Sequence, residues 1–478
     1  MNWINSFLGN VNDFIYTYIL IILLVAIGLY FTVRTGFVQF RMFPEAIRVL
    51  GEKKRDGKDI SSFQALMIST ASRVGTGNIA GVATAVAAST AVGGYGAVFW
   101  MWLLALIGAA SAFIESTLAQ MYKQERDGEF VGGPAYYIQK ALGSRKWGVV
   151  FACLLIACFA YGFNALQSFN AGSALQYYIP DYQNSIWPYV VGGSLAILTG
   201  LVIFGGVQRI SHIVSGIVPV MAVIYIALGL FITFKNIGAV PEMFRQIFSQ
   251  AFDFKAIAGG FTGSCVMYGI KRGLYSNEAG MGSAPNAAAA AEVSHPVKQG
   301  LVQMLSVFID TILICSTTAF MLLLSGVSIS PELQGMDFVQ AAVKNQVGAF
   351  GPLFITVSIF LFAFSSLVGN YYYTESNFKF IRDSKTGLFI FRLTCVLAVF
   401  GGALLDFGTV WSLADILMGL MAILNLAVIF VLGNKALIAL RDYSEQKKSG
   451  KNPVFRAARI GVGDPEVWNE QHAKKWED

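Results

Sequence analysis

A short polar stretch inside an apolar span carries the clearest chemistry in this sequence. Residues 72–81 read SRVGTGNIAG, so three glycines, two hydroxyls, an amide and a guanidinium interrupt a segment otherwise suited to hydrocarbon. Glycine loosens a helix and polar groups are unfavourable in lipid, so this composition is typical of a membrane helix broken to expose backbone groups to a ligand. Close packing is the alternative, because Gly77 and Gly81 form a small-xxx-small pair. The stretch alone leaves both interpretations open.

A second stretch has the same character. Residues 273–285 read GLYSNEAGMGSAP, and three glycines with a proline argue against one continuous helix. We expect the helix to be interrupted between Gly269 and Pro285. Polar side chains also lie within two other apolar spans. Hydroxyl oxygens together with unwound carbonyls could serve as hard ligands for an alkali cation, whereas an isolated serine in such a helix more often bonds the carbonyl four residues before it. The polar side chains of the two spans are Asn164 and Gln167, which share a helical face with Phe163, and Ser365, Ser366 and Asn370.

Several ionisable residues lie at membrane depth, where each is a functional candidate unless it is paired. Glu278 could bind a proton or a cation, but we favour an ion pair with Lys271, Arg272 or Arg73. The residues predicted to take part in intramembrane charge pairing are Arg73, Glu115, Glu278 and Asp310.

Composition places the chain in the membrane. It has 478 residues, of which 55% are hydrophobic and 13% charged, against roughly 25% charged in soluble domains. Eleven apolar runs are long enough to span a bilayer. We therefore predict an all-α polytopic protein with eleven transmembrane helices. The runs cover residues 14–33, 63–88, 97–121, 149–179, 188–204, 213–234, 257–291, 300–325, 350–380, 387–405 and 410–432.

The basic residues predict the orientation. Most of the 34 Lys and Arg fall in loops that share one side if eleven spans alternate, which puts the N-terminus outside and the C-terminus in the cytoplasm. The net charge of +6 therefore reflects topology, not nucleic-acid binding. No Walker lysine, HExxH or GxSxG motif occurs, so we expect neither an enzyme nor a transition-metal site.

The arrangement of spans predicts an internal repeat. The two glycine-interrupted spans each begin a run of five, and an odd number makes the second run enter the membrane in the opposite sense. We therefore expect an N-terminal extra helix and cytoplasmic loop (1–59), a first inverted repeat (60–235), an extracellular connection (236–255), a second repeat (256–433) and a cytoplasmic tail (434–478).

In combination, several blocks of sequence closely resemble the alanine/glycine:cation symporter family of prokaryotes. The blocks are FQAL (63–66), GTGNIAGVA (75–83), GAVFWMW (96–102), GGP (132–134), RG (272–273) with SNEAG (276–280), VFIDT (307–311), and YYY (371–373) with Glu375. The resemblance implies sodium- or proton-coupled uptake of a small neutral amino acid such as alanine or glycine by alternating access. It also implies a five-plus-five inverted repeat in the prokaryotic cell (inner) membrane, with the lipid bilayer but no obligate protein as partner.

A shorter resemblance places the ligands. Residues 74–78 look like the broken first helix of the neurotransmitter:sodium symporters, which share this architecture. By that analogy the carbonyls of Ala71 and Val74, with Ser365 and Ser366, would hold one sodium ion. The substrate carboxylate would meet N–H groups near a helix N-terminus. The substrate-binding set is then Gly75, Thr76, Gly77, Asn78, Phe163, Gln167, Gly273, Leu274, Ser276, Asn277 and Asn370.

Two positions bear on specificity and coupling. Many relatives carry tryptophan where this chain has Asn370, which predicts a roomier pocket that accepts serine, glutamine or asparagine. Arg73 could pair with a membrane carboxylate, which we favour, or could replace a second cation. The rival function is an amino-acid-gated channel or receptor, but a channel should show a continuous polar stripe, whereas the polar groups here cluster at mid-span.

Overall fold

The computed structural model describes residues 2–52, 55, 60–89, 94–126, 128–252, 264–461 and 466–476. This part of the chain is mostly helical, with one short antiparallel hairpin of β1 (Gln124–Arg126) and β2 (Glu129–Val131). The first thirteen helices are α1 (Asn2–Ile15), α2 (Ile21–Arg34), α3 (Val38–Arg41), α4 (Phe43–Leu50), α5 (Ser62–Arg73), α6 (Val82–Ala88), α7 (Gly96–Met121), α8 (Pro134–Ala141), α9 (Arg145–Ile156), α10 (Asn164–Ser173), α11 (Trp187–Ile203), α12 (Gly206–Lys235) and α13 (Val240–Ala251).

The helices after residue 264 complete the described fold. They are α14 (Cys265–Asn277), α15 (Pro285–Ala290), α16 (Pro296–Val307), α17 (Ser316–Leu323), α18 (Gly335–Val347), α19 (Phe350–Ile381), α20 (Lys385–Gly402), α21 (Phe407–Lys448) and α22 (Glu470–Lys474). Four π-helical segments occur in the described residues, and three of them join consecutive helices without a break. These segments are Tyr16–Leu20, Gly77–Gly81, Ala157–Phe163 and Phe308–Cys315.

Eight helices in the described residues are long and apolar enough to cross a membrane. The predicted second and seventh spans are not among them, because each is divided into halves too short to qualify, and α11 has only 17 residues. Residues 257–263 of the predicted seventh span lie outside the described residues. The count of eleven spans therefore stays a prediction.

The first interrupted span begins at α5. Ser61 caps this helix through a reciprocal capping box with Gln64. The helix ends at Arg73, because Val74 adopts a ψ of 83° that no helix tolerates. The chain resumes as the π-helical turn Gly77–Gly81 and continues directly into α6. The interruption falls within the SRVGTGNIAG stretch.

The second interrupted span begins at α14, which Ser264 caps through the N–H of Met267. This helix ends at Glu278, whose φ of +54° is left-handed and rare for a residue with a side chain. Gly280 and Gly282 follow, both at φ +83°, and Pro285 then starts α15. The interruption lies between Gly269 and Pro285, as the sequence predicts.

The two interruptions lie beside the long helix α19. A Cβ added at Gly369 would come within 2.6 Å of the backbone nitrogen of Ser72. The backbones of α19 and α5 thus approach as closely as glycine permits. On its other side the core is built by α7, which packs against α14 and α16.

The C-terminal segment folds back onto the ends of these helices. Helix α21 continues to Lys448, and the chain then returns so that the indole N–H of Trp468 donates to the carbonyl of Gln120 at 2.7 Å. The N–H of Phe455 donates to the carbonyl of Ser294 at 2.9 Å. This segment covers the C-terminal ends of α7 and α15.

Candidate functional site

The break in α5 exposes two carbonyl groups next to a hydroxyl of α19. In a continuous helix the carbonyls of Ala71 and Val74 would accept from the N–H groups four residues on. Here the N–H of Gly75 turns to the carbonyl of Arg73, and the N–H of Asn78 turns to the carbonyl of Gly75. The Ser366 hydroxyl lies 2.9 Å from the Ala71 oxygen and 3.4 Å from the Val74 oxygen. Three oxygen atoms suited to a hard cation thus converge on one point.

Ser365, the fourth predicted cation ligand, is directed elsewhere. Its hydroxyl donates to the carbonyl of Phe362 in its own helix at 3.0 Å, and it lies 3.8 Å from the sulfur of Met221. A serine in a membrane helix commonly bonds back to its own turn, because no water is available there. The prediction that both serines face the exposed carbonyls therefore has to be corrected for Ser365.

The N–H groups of the same break are held by amide oxygens. The N–H of Gly75 donates to Asn78 Oδ1 at 3.0 Å, and the N–H of Thr76 donates to Gln167 Oε1 at 3.0 Å. The predicted residues Gly75, Thr76, Asn78 and Gln167 are thus brought together. Each of these acceptor oxygens occupies a position that a carboxylate oxygen could take.

Tyr275 and Asn170 also belong to this site, although neither is among the predicted substrate-binding residues. Tyr275 packs against Gly77, where an added Cβ would come within 2.7 Å of its ring. Its hydroxyl accepts from Gln167 Nε2 at 3.3 Å, and Asn170 Nδ2 donates to Thr76 Oγ1 at 2.9 Å. Asn170 follows Gln167 by three positions, so helical spacing could have placed it on the same face.

A line of aromatic rings runs from the break to a large vestibule. The ring of Phe163 lies edge-on to Tyr275 at 4.8 Å, and Tyr275 lies 5.4 Å from Trp411. Phe407 continues the line, at 6.0 Å from Trp411 and 6.1 Å from Phe169. We call these five rings the aromatic layer.

Beyond the aromatic layer lies a cavity of about 810 Å³ that both Phe169 and Phe407 line. Asn170, which donates to Thr76, lines it as well. The vestibule therefore reaches a side chain that contacts the break itself, whereas the C-terminal segment covers the opposite ends of α7 and α15.

Asp310 joins the two broken helices through hydrogen bonds. Its Oδ1 accepts from Asn78 Nδ2 at 2.7 Å, and its Oδ2 accepts from Ser276 Oγ at 2.7 Å and Thr311 Oγ1 at 2.9 Å. The carboxylate is fully buried. Asp310 was predicted to take part in charge pairing, but its contacting partners are neutral amide and hydroxyl groups, which satisfy its hydrogen-bonding oxygens.

Asn370 lies at the centre of a second polar chain. Ser72 Oγ is 2.7 Å from Asn370 Oδ1 and 2.8 Å from Glu278 Oε1, and Asn370 Nδ2 donates to Asn164 Oδ1 at 3.0 Å. Asn370 therefore links α5, next to its break, to α10. The Ser72 hydroxyl connects Asn370 to Glu278 of the second break.

The ion pairs of the site differ from those predicted. Lys271 and Arg272 both bind Asp415 of α21, with Lys271 Nζ at 2.8 Å and Arg272 in a bidentate pair at 3.0 and 2.8 Å. The prediction that either cation pairs with Glu278 is therefore wrong. Arg272 also lies over the Trp411 ring at 4.1 Å, because a guanidinium can stack and bind a carboxylate at once.

Arg73 does not contact the carboxylates that were predicted to pair with it. Its Nη1 donates to the carbonyl of Gln303 at 3.3 Å, while its Nε and Nη2 have no hydrogen-bond partner among the described residues. Glu115 instead accepts from the N–H groups of Gly280 and Gly282 and from Asn425. Arg73 acts on Glu115, Glu278 and Asp310 through space.

Three other predicted residues of α14 are placed apart from the exposed N–H groups. Gly273 faces α7, where an added Cβ would be 3.4 Å from the Cα of Met101. Leu274 is completely buried, and its carbonyl accepts from the N–H of Glu278. Asn277 Oδ1 accepts from the N–H of Ala279 at 3.0 Å, so this amide shapes the second break. Gly273 serves packing because α14 and α7 approach closely there.

The sequence as a whole matches the sodium:alanine symporter family over residues 1–457. The chain belongs to the sodium:alanine symporter family. It is 49% identical to the amino-acid carrier protein AlsT of Bacillus subtilis over 98% of this chain and 99% of that one. It is 46% identical to the probable sodium/glutamine symporter GlnT of the same organism, over 94% and 92% of the two chains.

Other members of the sodium:alanine symporter family and one solved structure extend the comparison. Identity to the sodium/alanine symporter AgcS of Methanococcus maripaludis is 38%, over 93% of this chain and 98% of that one. The crystal structure of MhsT in complex with L-phenylalanine superimposes with a TM-score of 0.58 at 15% identity, over 82% of this chain and 97% of that one. This likeness concerns the fold. The family and these relatives are transporters, not enzymes.

Proposed function

We propose that this protein is a secondary active symporter that couples inward sodium flow to uptake of a small neutral amino acid, with alanine or glycine as the expected substrate class. The observation that carries the proposal is the convergence of the Ser366 hydroxyl on the carbonyls of Ala71 and Val74, next to the N–H groups of Gly75 and Thr76. One broken helix thereby offers oxygens to a cation and N–H groups to an anion. A zwitterion and its companion ion need both.

The proposed mechanism assigns each group one step. Sodium takes the three oxygens as ligands, and the Ser366 proton turns away from the carbonyls. The substrate carboxylate then replaces the amide oxygens of Gln167 and Asn78 at the N–H groups of the break, where the dipole of the following helix favours an anion. Sodium fixes the break in the conformation that the carboxylate needs, so each ligand raises the affinity for the other.

Alternating access supplies the transport step. In the orientation predicted from the basic residues, the vestibule faces outward and the C-terminal segment lies in the cytoplasm. The aromatic layer must part to admit the substrate, and the ends of α7 and α15 must separate from the C-terminal segment to release it. A continuous aqueous channel is disfavoured because the aromatic layer interrupts the polar route.

Glutamine, serine or asparagine as main substrate is the second candidate. Asn370 offers an amide in a chain of polar side chains that reaches Ser72 and Asn164. Such a chain can exchange hydrogen bonds with a substrate amide or hydroxyl, and one relative is named as a probable sodium/glutamine symporter. Sodium coupling is preferred over proton coupling because the converging groups are oxygen ligands.

Reconstitution in liposomes tests the proposal. Radiolabelled alanine and glutamine uptake is measured with an inward sodium gradient, an inward proton gradient, both or neither. We expect saturable uptake that requires the sodium gradient and collapses with a sodium ionophore. Uptake that proceeds without any gradient, or linear flux that does not saturate, would instead indicate a channel.

A further inference from the structure

Glu278 lies in the second break and contacts the last turn of α5 before the first break. It ends α14 in a left-handed conformation, and its Oε1 lies 2.8 Å from the hydroxyl of Ser72, in the last turn of α5 before the first break. Its Oε2 accepts from Ser283 Oγ at 2.6 Å. We propose that Glu278 is a proton-binding site and that it is protonated in the conformation described here.

The hydrogen-bond count is the first argument. Ser72 has one hydroxyl proton but lies within 2.8 Å of two oxygens, Glu278 Oε1 and Asn370 Oδ1. An ionised Glu278 only accepts, so Ser72 would leave one of these buried oxygens without a proton. A protonated Glu278 donates to Ser72, which then donates to Asn370, while Ser283 donates to the other carboxyl oxygen. Every one of these contacts is then satisfied.

The charge count is the second argument. The fully buried carboxylates Glu115, Glu278 and Asp310 surround a single cation, Arg73. Lys271 and Arg272 are already bound to Asp415. With all three carboxylates ionised the group would carry two uncompensated negative charges, which is strongly unfavourable in a buried setting. Protonation of one carboxylate halves that excess.

Between Glu278 and Glu115, the geometry selects Glu278 as the acid. Glu115 receives the N–H groups of Gly280 and Gly282 and the amide of Asn425, and none of these donors can accept a carboxyl proton. Glu278 contacts two hydroxyls, which can accept. The other ionisable groups that face Glu278 come from four elements: Arg73 of α5, Asp310 of the π-helical segment Phe308–Cys315, Tyr373 of α19 and Cys158 of the segment Ala157–Phe163.

A functional consequence follows, and it rests on the proposed function. The proton of Glu278 sets the direction of the Ser72 hydrogen bond to Asn370 in the substrate pocket. Loss of that proton to solvent turns Ser72 toward Glu278 and leaves the Asn370 oxygen without its donor. Amino-acid affinity should therefore fall as pH rises through the titration of Glu278, by up to about tenfold per pH unit.

Infrared spectroscopy of the full-length protein in lipid vesicles tests the site itself. A protonated carboxylic acid has a C=O stretching band that a carboxylate lacks, and the band shifts in D2O. We expect this band in the wild-type protein at neutral pH, its loss in Glu278→Gln, its shift in Glu278→Asp and its retention in the matched variant Glu115→Gln. The Asp variant keeps the test decisive if the Gln variant does not fold.

Three outcomes would overturn the proposal: no such band in the wild type, a band that persists in Glu278→Gln, or a band lost equally in Glu115→Gln. Absence of the band in the wild type would mean that Glu278 is ionised. The side-chain amide O and N atoms of Asn370 and Asn164 would then both be exchanged, so that Asn370 donates to Ser72. Alanine and glutamine binding is then titrated with pH, and Glu278→Gln should abolish the pH dependence. Absence of amino-acid binding at every pH would count against the proposed function alone, since the infrared result does not depend on it.

Discussion

The hydroxyl of Ser366 lies 2.9 Å from the carbonyl oxygen of Ala71, although 295 positions separate the two residues in the chain. The hydroxyl of its neighbour Ser365 donates to the carbonyl of Phe362, which lies three positions before Ser365 in the same helix. Two adjacent serines of α19 thus have opposite surroundings. One faces the break of another helix and the other faces its own backbone.

This difference gives a matched pair of variants for the cation site. Ser366→Ala removes one of three converging oxygens, and contacts to a charged partner contribute about 1.5–3 kcal/mol, so the sodium concentration for half-maximal uptake should rise about tenfold or more. Ser365→Ala should change it less than about twofold. Sodium titration of alanine uptake in proteoliposomes measures both. Equal effects of the two substitutions would contradict the assignment of Ser366.

Asn370 is expected to set the size of the proposed substrate pocket. Asn370→Trp places a much larger side chain next to Ser72 and Asn164, which Asn370 contacts, so competition by glutamine should be lost while alanine uptake is retained. Asn370→Ser keeps the space and a hydroxyl, and should retain both. The measurement is inhibition of labelled alanine uptake by unlabelled glutamine. Unchanged glutamine uptake in Asn370→Trp would refute the idea that this position sets substrate size.

Gly75 is expected to tolerate no side chain. A Cβ at this position would come within 2.3 Å of Ser366 Oγ and 2.7 Å of Gln167 Nε2, so Gly75→Ala displaces both polar groups and should abolish uptake. The control is Gly81→Ala in the same span, where the nearest atoms would be 3.7 Å away. It should retain uptake because that distance is ordinary van der Waals contact. Surface expression of both variants is checked alongside uptake.

Asp415 is expected to be essential for stability. Asp415→Asn leaves Lys271 and Arg272 buried without their carboxylate, and breaking a buried pair in this way costs about 3–5 kcal/mol. Thermal unfolding in detergent, followed by tryptophan fluorescence, should show a marked fall in midpoint. Glu242→Gln breaks the exposed pair with Arg245 and should leave the midpoint unchanged, since exposed pairs contribute little. Equal midpoints for the two variants would argue against a structural role for Asp415.

The docking of the C-terminal segment should weaken in acid. Burial and the nearby Lys123 lower the pKa of His472 from 6.5 to about 4, and the ring contacts the carbonyl of Val293 and the indole of Trp468. Because the docked state favours the neutral imidazole, its contribution is complete above pH 6.5 and is lost as pH falls from there toward 4.

Hydrogen exchange of the segment from residue 466 to 476 measures this effect. Protection should fall between pH 7 and pH 5 after correction for the intrinsic exchange rate. His472→Gln removes the titrating group and should flatten the pH dependence. A wild-type profile as flat as that of the variant would show that His472 does not control docking.

Some features followed from residue types alone. Glycine and proline positions predicted both interruptions, because several such residues within a short stretch weaken a helix, although the single Pro219 is accommodated inside α12. Composition indicated a membrane protein, because so few charged residues cannot cover a water-soluble surface. Helical spacing grouped Gln167 with Asn164, and both lie in the polar site. These are local or additive properties, which a sequence states directly.

The pairing of charges was not predictable in the same way. Glu278 was expected to pair with a cation, but Lys271 and Arg272 lie nearly two helical turns before it and bind Asp415, which is 143 residues beyond Arg272. Tyr275 was not predicted, because the residues next to it in the sequence do not indicate that its ring packs against Gly77 of another helix. The sequence alone does not distinguish Ser365 from Ser366, because both are serines in the same apolar span and only their contacts differ.

The sequence by itself determined that this is a helical membrane protein of the sodium:alanine symporter family, and it predicted that two of the helices are interrupted. Only the tertiary structure decided which oxygen, amide and carboxyl groups meet at those breaks. The physical reason is that helix continuity depends on neighbours four residues away, whereas the partner of a buried polar group is set by the packing of helices from distant parts of the chain.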